Sequence, residues 1–304
     1  MGAGRASPAA PTGPRMCCDG PVSDTNPGTD PALLREVAEQ LATEAAEFVR
    51  RRRGEVFGRG SADTDGAVRV KSSSTDPVTV VDTETERLLR DRLAQLRPGD
   101  AILGEEEGGA VGAAPGQLTW VLDPIDGTVN FLYGIPAYAV SVGVRRDGAS
   151  VAGAVADVAA GSVYSAALGG GARVRHGDVV TELRCSNAAD LSTALVGTGF
   201  SYDREHRRRQ GEIIAELLPQ VRDLRRIGSC ALDLCSVAAG RLDAYFEDDV
   251  HVWDWAAAAL IAAEAGAQVR PPESTQGGGR MVAAAPGIRE QFEAALARAG
   301  ALDV

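Results

Sequence analysis

The chain has 304 residues, 44% hydrophobic and 24% charged, an ordinary globular composition with enough length for a substantial core. A net charge of −11 and an isoelectric point near 4.9 argue against a general nucleic-acid binder, because phosphate backbones are held by basic surfaces. No apolar run reaches the ~20 residues of a membrane span, and five cysteines without a Cys-x-x-Cys pair suit a reducing, cytoplasmic setting.

Residues 1–30 are rich in Gly, Pro, Ala, Ser and Thr and lack an apolar stretch, so they read as a disordered tail and not as a secretory signal. Cys17 and Cys18 lie there, and Met16 offers a second start. Residues 31–304 read as a single catalytic domain of two α/β halves. A helix is predicted over 31–53, with Leu34, Val37, Ala38, Leu41, Ala45, Phe48 and Val49 at helical spacing. The Gly-, Ser- and Asp-rich stretch 54–76 predicts a long loop acting as a lid, with Lys71 in it. A strand over 78–81 and an amphipathic helix over 83–96 follow. Strands are expected at 101–103, 118–122, 138–145, 151–158 and 162–166. The remainder alternates: a strand at 194–198, helices at 205–218 and 229–239, a strand at 242–246, and helices at 253–265 and 286–299. The mixture predicts an α/β or α+β layered sandwich whose halves meet at a site.

The segment Trp120-Val121-Leu122-Asp123-Pro124-Ile125-Asp126-Gly127-Thr128 carries the chemistry. An apolar strand runs into a Pro/Gly turn, so both carboxylates gather near the strand's carboxyl end, where ligands bind in α/β sheets. Gly127 lets backbone approach an anion, and the Thr128 hydroxyl can donate a hydrogen bond or orient a water. As ordinary turn residues Asp123 and Asp126 would need no ligand. Three further acidic clusters tip the balance: Gly104-Glu105-Glu106, Asp82 after Val78-Thr79-Val80-Val81, and Glu247 followed by Trp253-Asp254. Hard oxygen donors without a matching His or Cys cluster select Mg²⁺ over zinc. The pattern reads as a carboxylate site for two or more Mg²⁺ ions beside a phosphate pocket, hence phosphate-ester hydrolysis or transfer. No Gly-x-x-x-x-Gly-Lys loop occurs, which disfavours nucleotide-driven transfer.

The segments Gly104-Glu105-Glu106, Asp123-Pro124-Ile125-Asp126-Gly127-Thr128 and Trp253-Asp254, with Ala256-Ala257 and Glu264-Ala265-Gly266 beyond, resemble the inositol monophosphatase family in order and spacing. The resemblance covers about 33–296 and is nearest to the bacterial inositol-1-monophosphatase branch. It implies a layered αβαβα sandwich and a Mg²⁺-dependent, lithium-inhibited phosphomonoesterase acting on myo-inositol 1-phosphate and related polyol or sugar phosphates. It also implies two or three Mg²⁺ ions and a homodimer. Residue by residue, it makes Glu105, Asp123, Asp126, Asp254 and the Ile125 carbonyl the metal ligands and gives the phosphate to Gly127 and Thr128. Asp82 and Thr128 match the pair orienting the attacking water, with Glu105 beside them in catalysis. Arg226, Glu247 and the Gly228-Ser229-Cys230 turn match the sugar or inositol pocket. Cys230 departs from the small Ala often found there, and Trp255 is bulkier than many relatives carry. Trp255 is expected in the core.

Other residues read more plainly. His176, His206 and His251 are scattered and expected to be solvated or structural, with His251 alone near the site. Ser141 and Ser229 lack the His and Asp of a serine hydrolase. Cys185, Cys230 and Cys235 are expected to pack as small apolar side chains. The alternatives are a same-fold phosphatase for fructose-1,6-bisphosphate, histidinol phosphate or 3′-phosphoadenosine phosphate, and a non-catalytic protein binding RNA or a transcription-associated partner.

Overall fold

The computed structural model describes residues 27–58, 68–70, 77–110, 114–272 and 279–301. Most of the predicted tail, including Met16, Cys17 and Cys18, and most of the expected lid, including Lys71, lie outside the described residues. A short antiparallel pair, β1 (Val68–Val70) and β2 (Pro77–Thr79), precedes two larger sheets. The first sheet contains β3 (Ala101–Gly104), β4 (Gly108–Gly109), β5 (Leu118–Asp126), β6 (Ala139–Arg146), β7 (Ala149–Asp157), β8 (Ser162–Ala167), β9 (Ala172–His176) and β10 (Val179–Glu182). Its order is β10-β9-β8-β7-β6-β5-β3-β4, antiparallel except for the β3–β5 pair. The second sheet is built from β11 (Leu195–Thr198), β12 (Asp223–Arg225), β13 (Ala244–Val250), β14 (Gln268–Arg270) and β15 (Gly279–Ala284), in the order β12-β11-β13-β15-β14.

Strand residues alternate between faces, and the alternation divides the interior into three cores. Trp120 and Leu122 of β5, with Val140, Val142 and Val144 of β6, face an outer core completed by α1 (Pro31–Phe57) and α2 (Val80–Leu96). Val121, Ala139, Val155 and Tyr164 face the opposite way, onto α5 (Cys230–Ala238) and α6 (Val252–Glu264), and Tyr245, Met281 and Ala283 of the second sheet close the same core from beyond. Val196, Phe246 and Val282 face a third core with α4 (Arg204–Leu217) and α7 (Arg289–Arg298). The layers run α1/α2, sheet, α5/α6, sheet, α4/α7, the αβαβα sandwich expected from the sequence. Each fully buried aliphatic or aromatic side chain contributes roughly 1.5–3 kcal/mol.

The run of alanines in α6 follows from this stacking. A helix between two sheets is buried nearly all round, and Ala256, Ala257, Ala258 and Ile261 show no more than 0% exposure. Contact is closest at two glycines: a Cβ on Gly143 would stand 2.9 Å from the Ala256 Cβ, and one on Gly153 2.8 Å from the Ala257 Cα. Helix α1 begins with Asp30 accepting from Ala32 N at 2.9 Å and Pro31 in the first turn. It runs past the expected 53 to Phe57, whose ring meets Phe131 edge-on at 5.6 Å.

At three further places the departure from the sequence reading has a local cause. Val80 and Val81 open α2 and do not end a strand, because Thr79 and Asp82 form a capping box: Thr79 N donates to Asp82 Oδ2 at 3.0 Å. Strand β5 passes through Pro124 to Asp126, and its register against β6 shifts between Asp123 and Asp126, a bulge that needs no N–H from proline. The tail is ordered at its end: Pro27–Thr29 form a 3₁₀ turn, and the Gly28 carbonyl accepts from Arg97 Nη2 at 2.7 Å. Among the described residues no helix is long and apolar enough to cross a membrane. A Gly153→Val variant should lose about 1–3 kcal/mol of unfolding free energy through overpacking against α6, measured as a lower urea midpoint at unchanged slope.

Candidate active site

Between the carboxyl end of β5 and α3 (Thr128–Tyr133), the chain turns on Gly127 at φ +96°. A Cβ there would lie 3.0 Å from the Ala137 carbonyl oxygen and 3.1 Å from that of Gly228, so only glycine lets three chain segments converge. Asn130 fastens them, donating from Nδ2 to the carbonyls of Ala137 and Ile227, both at 2.8 Å. Asp123 Oδ1 accepts from Ile125 N at 3.0 Å, folding that side chain back over the bulge.

Glu105 is presented by a buried carboxylate that sequence reasoning passed over. Glu86 of α2 accepts from Glu106 N at 2.7 Å and Glu107 N at 3.0 Å, and Arg90 donates to it at 2.9 Å. A Cβ on Gly104 would fall 2.2 Å from Glu86 Oε1. The Gly-Glu-Glu signature therefore has a steric cause: glycine makes room for the carboxylate that shapes the turn.

Helix N-termini hold the other acidic groups, and unpaired amides there favour negative charge. Asp126 Oδ2 accepts from Ser229 Oγ at 2.5 Å and from Ala231 N at 2.7 Å in the first turn of α5. Ser229 also caps that helix, accepting from Leu232 N at 3.2 Å. Asp254 is the third residue of α6, and its Oδ2 accepts from His251 N at 2.7 Å. Asp82 is the corresponding residue of α2, with the Thr79 hydroxyl also on Oδ2. Its Oδ1 accepts from Thr128 Oγ1 at 3.1 Å, and the same hydroxyl lies 3.0 Å from the Ile125 carbonyl. One hydroxyl proton cannot serve both acceptors at once.

Glu105, Asp123, Ile125, Asp126, Gly127 and Thr128 line one pocket of about 500 Å³, together with Arg226, Gly228, Cys230, Glu247 and Asp254. Nearly every residue singled out in the sequence is thus brought together. Asp82 stands behind Thr128, fully buried, and Ser229 behind Asp126. Burial pushes Asp82 up to about 7, against the Thr79 hydrogen bond and with the charges of Glu105 and Glu106. Burial also lifts Asp126 to about 6, opposed by Ser229 and Ala231. Asp123 and Asp254 rise well above the carboxylate range, by burial first and then by neighbouring carboxylates. Burial takes Glu247 to about 7 although the Tyr245 hydroxyl donates to it. A Cβ on Gly199 would fall 1.9 Å from that carboxylate, so a glycine directly after β11 leaves room to seat it. Burial pushes the Cys230 thiol up as well, leaving it a neutral part of the wall.

The donors gathered here are carboxylates and one carbonyl, a set that fits a hard divalent cation. Among the described residues no group of three or more His, Cys, Asp or Glu side chains is drawn together tightly enough to hold one metal ion, and repulsion between like charges opposes closer approach. Two expectations about aromatic rings divide. Trp255 packs in the core at 4% exposure with Arg145 over its ring at 5.3 Å, as expected. His251 lines the pocket, near the site as expected, and stacks on Trp253 at 4.8 Å, and His206, not expected near the site, lines it too. Asp203, Asp248 and Asp249 also line it and gave no sequence signal, because only the fold brings α4 beside β13.

The sequence model described as the inositol monophosphatase family matches residues 30–299. A protein of Mycobacterium tuberculosis named inositol-1-monophosphatase SuhB is 63% identical over 285 residues, covering 92% of this chain and 98% of its own length. A solved structure titled Mycobacterium tuberculosis SuhB superposes with a TM-score of 0.78 at 58% identity, covering 90% of this chain and 100% of that one. A Pasteurella multocida protein named Nus factor SuhB is 36% identical over 246 residues, 80% of this chain and 90% of its own.

The raised carboxylates fix a sign for pH dependence. Asp82, Asp123, Asp126, Asp233, Glu247 and Asp254 all hold protons more tightly folded than unfolded. Their stabilising contribution is complete below the ordinary carboxylate range, and for Asp82, Asp126 and Glu247 it is lost as pH rises through about 6 to 7. In chelator the protein should melt at a higher temperature near about pH 5 than near about pH 8. Asp126→Asn should narrow the gap, and scanning calorimetry at the two pH values measures both.

Proposed function

The chain belongs to the inositol monophosphatase family and is a phosphatase, and on that footing we propose that it is a Mg²⁺-dependent phosphomonoesterase releasing inositol and phosphate from myo-inositol 1-phosphate. The observation that carries the reading is the crowding of buried Asp123, Asp126 and Asp254 at one pocket beside Glu105, a mutually repulsive set that needs cations to be useful. The family is metal-dependent in general. Glu105, Asp123, Asp126, Asp254 and the Ile125 carbonyl would hold two or three Mg²⁺ ions. Bound there, they would polarise the phosphoryl group, acidify the attacking water and offset charge on the leaving oxygen.

The chain's own residues supply orientation and a proton path. Gly127 and Thr128 open α3 toward the phosphate. Thr128 Oγ1 can pass its proton to Asp82 Oδ1 while accepting one from the water that attacks phosphorus in line. Asp82 Oδ1, 3.1 Å from that hydroxyl, is placed to take the proton. Arg226 and Glu247 face the leaving group, donating to and accepting from hydroxyls. Cys230 shapes the wall without ionising. The same reading carries a cytoplasmic, lithium-inhibited homodimer, as the family resemblance implies.

The name of the Pasteurella relative raises a second role, binding RNA or a transcription-associated partner. A net charge of −11 opposes direct RNA binding. Phosphate release from inositol 1-phosphate, fructose-1,6-bisphosphate, histidinol phosphate and 3′-phosphoadenosine phosphate, each with Mg²⁺ and with chelator, tests the reading. Mg²⁺-dependent release favouring the inositol ester is expected, and no release from any ester would sink it. Asp123→Asn should cut kcat/KM at least about 100-fold, with a melting temperature unchanged or raised because one repulsive charge is gone. Turnover equal to wild type would remove Asp123 from the metal site.

A further inference from the structure

At the pocket wall, the start of α4 and the end of β13 are joined by a pair of side chains. His206, in the first turn of α4, shares a 2.7 Å hydrogen bond between Nδ1 and Asp249 Oδ2, and both residues line the pocket. With side chains 52% and 31% exposed, such a pair adds little stability. Its geometry is nonetheless enforced. Asp249 holds φ +64°, and the other positive-φ non-glycine residue among those described is Asp147, in the tight turn between β6 and β7. Asp249 falls where β13 shifts register against β15 between Asp248 and Val250. The bulge sends three successive carboxylates to three partners: Glu247 to the Tyr245 hydroxyl, Asp248 to Arg280 with Nη2 at 2.7 Å, and Asp249 to His206. Backbone held in this region persists where its surroundings impose it, and it concentrates at ligand sites. From the other side Asp203 Oδ1 accepts from His206 N at 2.9 Å, fixing the residue that carries the ring. With Nδ1 engaged, Nε2 is the remaining hydrogen-bonding atom of the imidazole.

Resting on the phosphatase reading above, we propose that His206 is a specificity-determining residue whose Nε2 hydrogen-bonds a ring hydroxyl of a neutral polyol leaving group, with Asp249 as its positioning residue. The Asp249 carboxylate accepts from Nδ1–H, and that bond raises the imidazole above its ordinary value, so Nε2 accepts from a hydroxyl while the ring is neutral and donates to it once the ring is protonated. Charge on this wall selects hydroxyls over a second phosphate. Arg226, His206 and the Arg280 already bound to Asp248 face Asp203, Glu247, Asp248 and Asp249, so no surplus of positive charge awaits another anion. A hydroxyl both donates and accepts, so it can bond Nε2 in either state of the ring, which a second phosphate cannot.

The test compares wild type, His206→Ala and Asp249→Asn on inositol 1-phosphate and on cyclohexyl phosphate, the same ring without hydroxyls. In His206→Ala the ratio of kcat/KM for the inositol ester to that for the cyclohexyl ester should fall about tenfold, mainly through KM, the size of one lost hydrogen bond. Asp249→Asn, which tolerates the same backbone and can still accept from Nδ1, should fall between. Equal loss on both esters, or no change in the ratio, overturns the proposal. A second measurement needs no turnover: the His206 ring resonances, identified by their disappearance in His206→Ala, should shift when inositol 1-phosphate is added and stay in place with cyclohexyl phosphate. Should wild type release phosphate from neither ester, the phosphatase reading fails, and the ring shift still decides the contact.

Discussion

Carboxylates buried against one another are the constraint on which the rest of the structure depends. Desolvation and like charge both work against Asp82, Asp123, Asp126 and Asp254. The fold answers by bringing helix N-termini to them. Asp82 and Asp254 occupy equivalent positions in the first turns of α2 and α6, and Asp126 receives an amide from the first turn of α5. Each uses one oxygen to satisfy its helix, and that bond fixes the side chain's direction. The layered architecture makes the convergence feasible, since α5 and α6 lie side by side between the sheets and start at the same end of the molecule.

That arrangement explains why small residues recur far from any chemistry. Helix α6 must approach β6 and β7 closely enough for Asp254 to reach the pocket. Gly143 and Gly153 on the sheet and the alanines on the helix permit it. Gly104 and Gly199 act similarly at shorter range, each leaving the volume a carboxylate occupies, Glu86 in one case and Glu247 in the other. Side-chain volume removed at these four positions appears again as precision in where the acidic groups stand.

Much of this was legible in the sequence, and the exceptions have physical causes. Strands β5 to β8 announce themselves as short apolar runs because the sheet is buried on both faces, and α1 and α2 by the helical spacing of one apolar face. The run Asp123 to Thr128 announces the site because proline, glycine and paired acids interrupt an apolar strand. Strands β9 and β10 were missed because their burial is partial or absent and their composition polar. Strands β12 and β14 span three residues each, too short for a period to register. Glu86 drew no notice in the sequence and is 0% exposed, since what buries it is the turn after β3 and not its own neighbours. His206 and Asp249 lie 43 residues apart, and only the adjacency of α4 and β13 joins them.

Helix α6 packs in one core with β5 and β7 of the first sheet and with β13 and β15 of the second. The sandwich therefore lacks a seam. Although the halves look separable in a topology diagram, each would expose half of a helix that is hydrophobic on every side, and neither could be traded between proteins as a module. Descent in this architecture has to proceed by replacing residues and loops around an indivisible centre, and not by shuffling its two sheets.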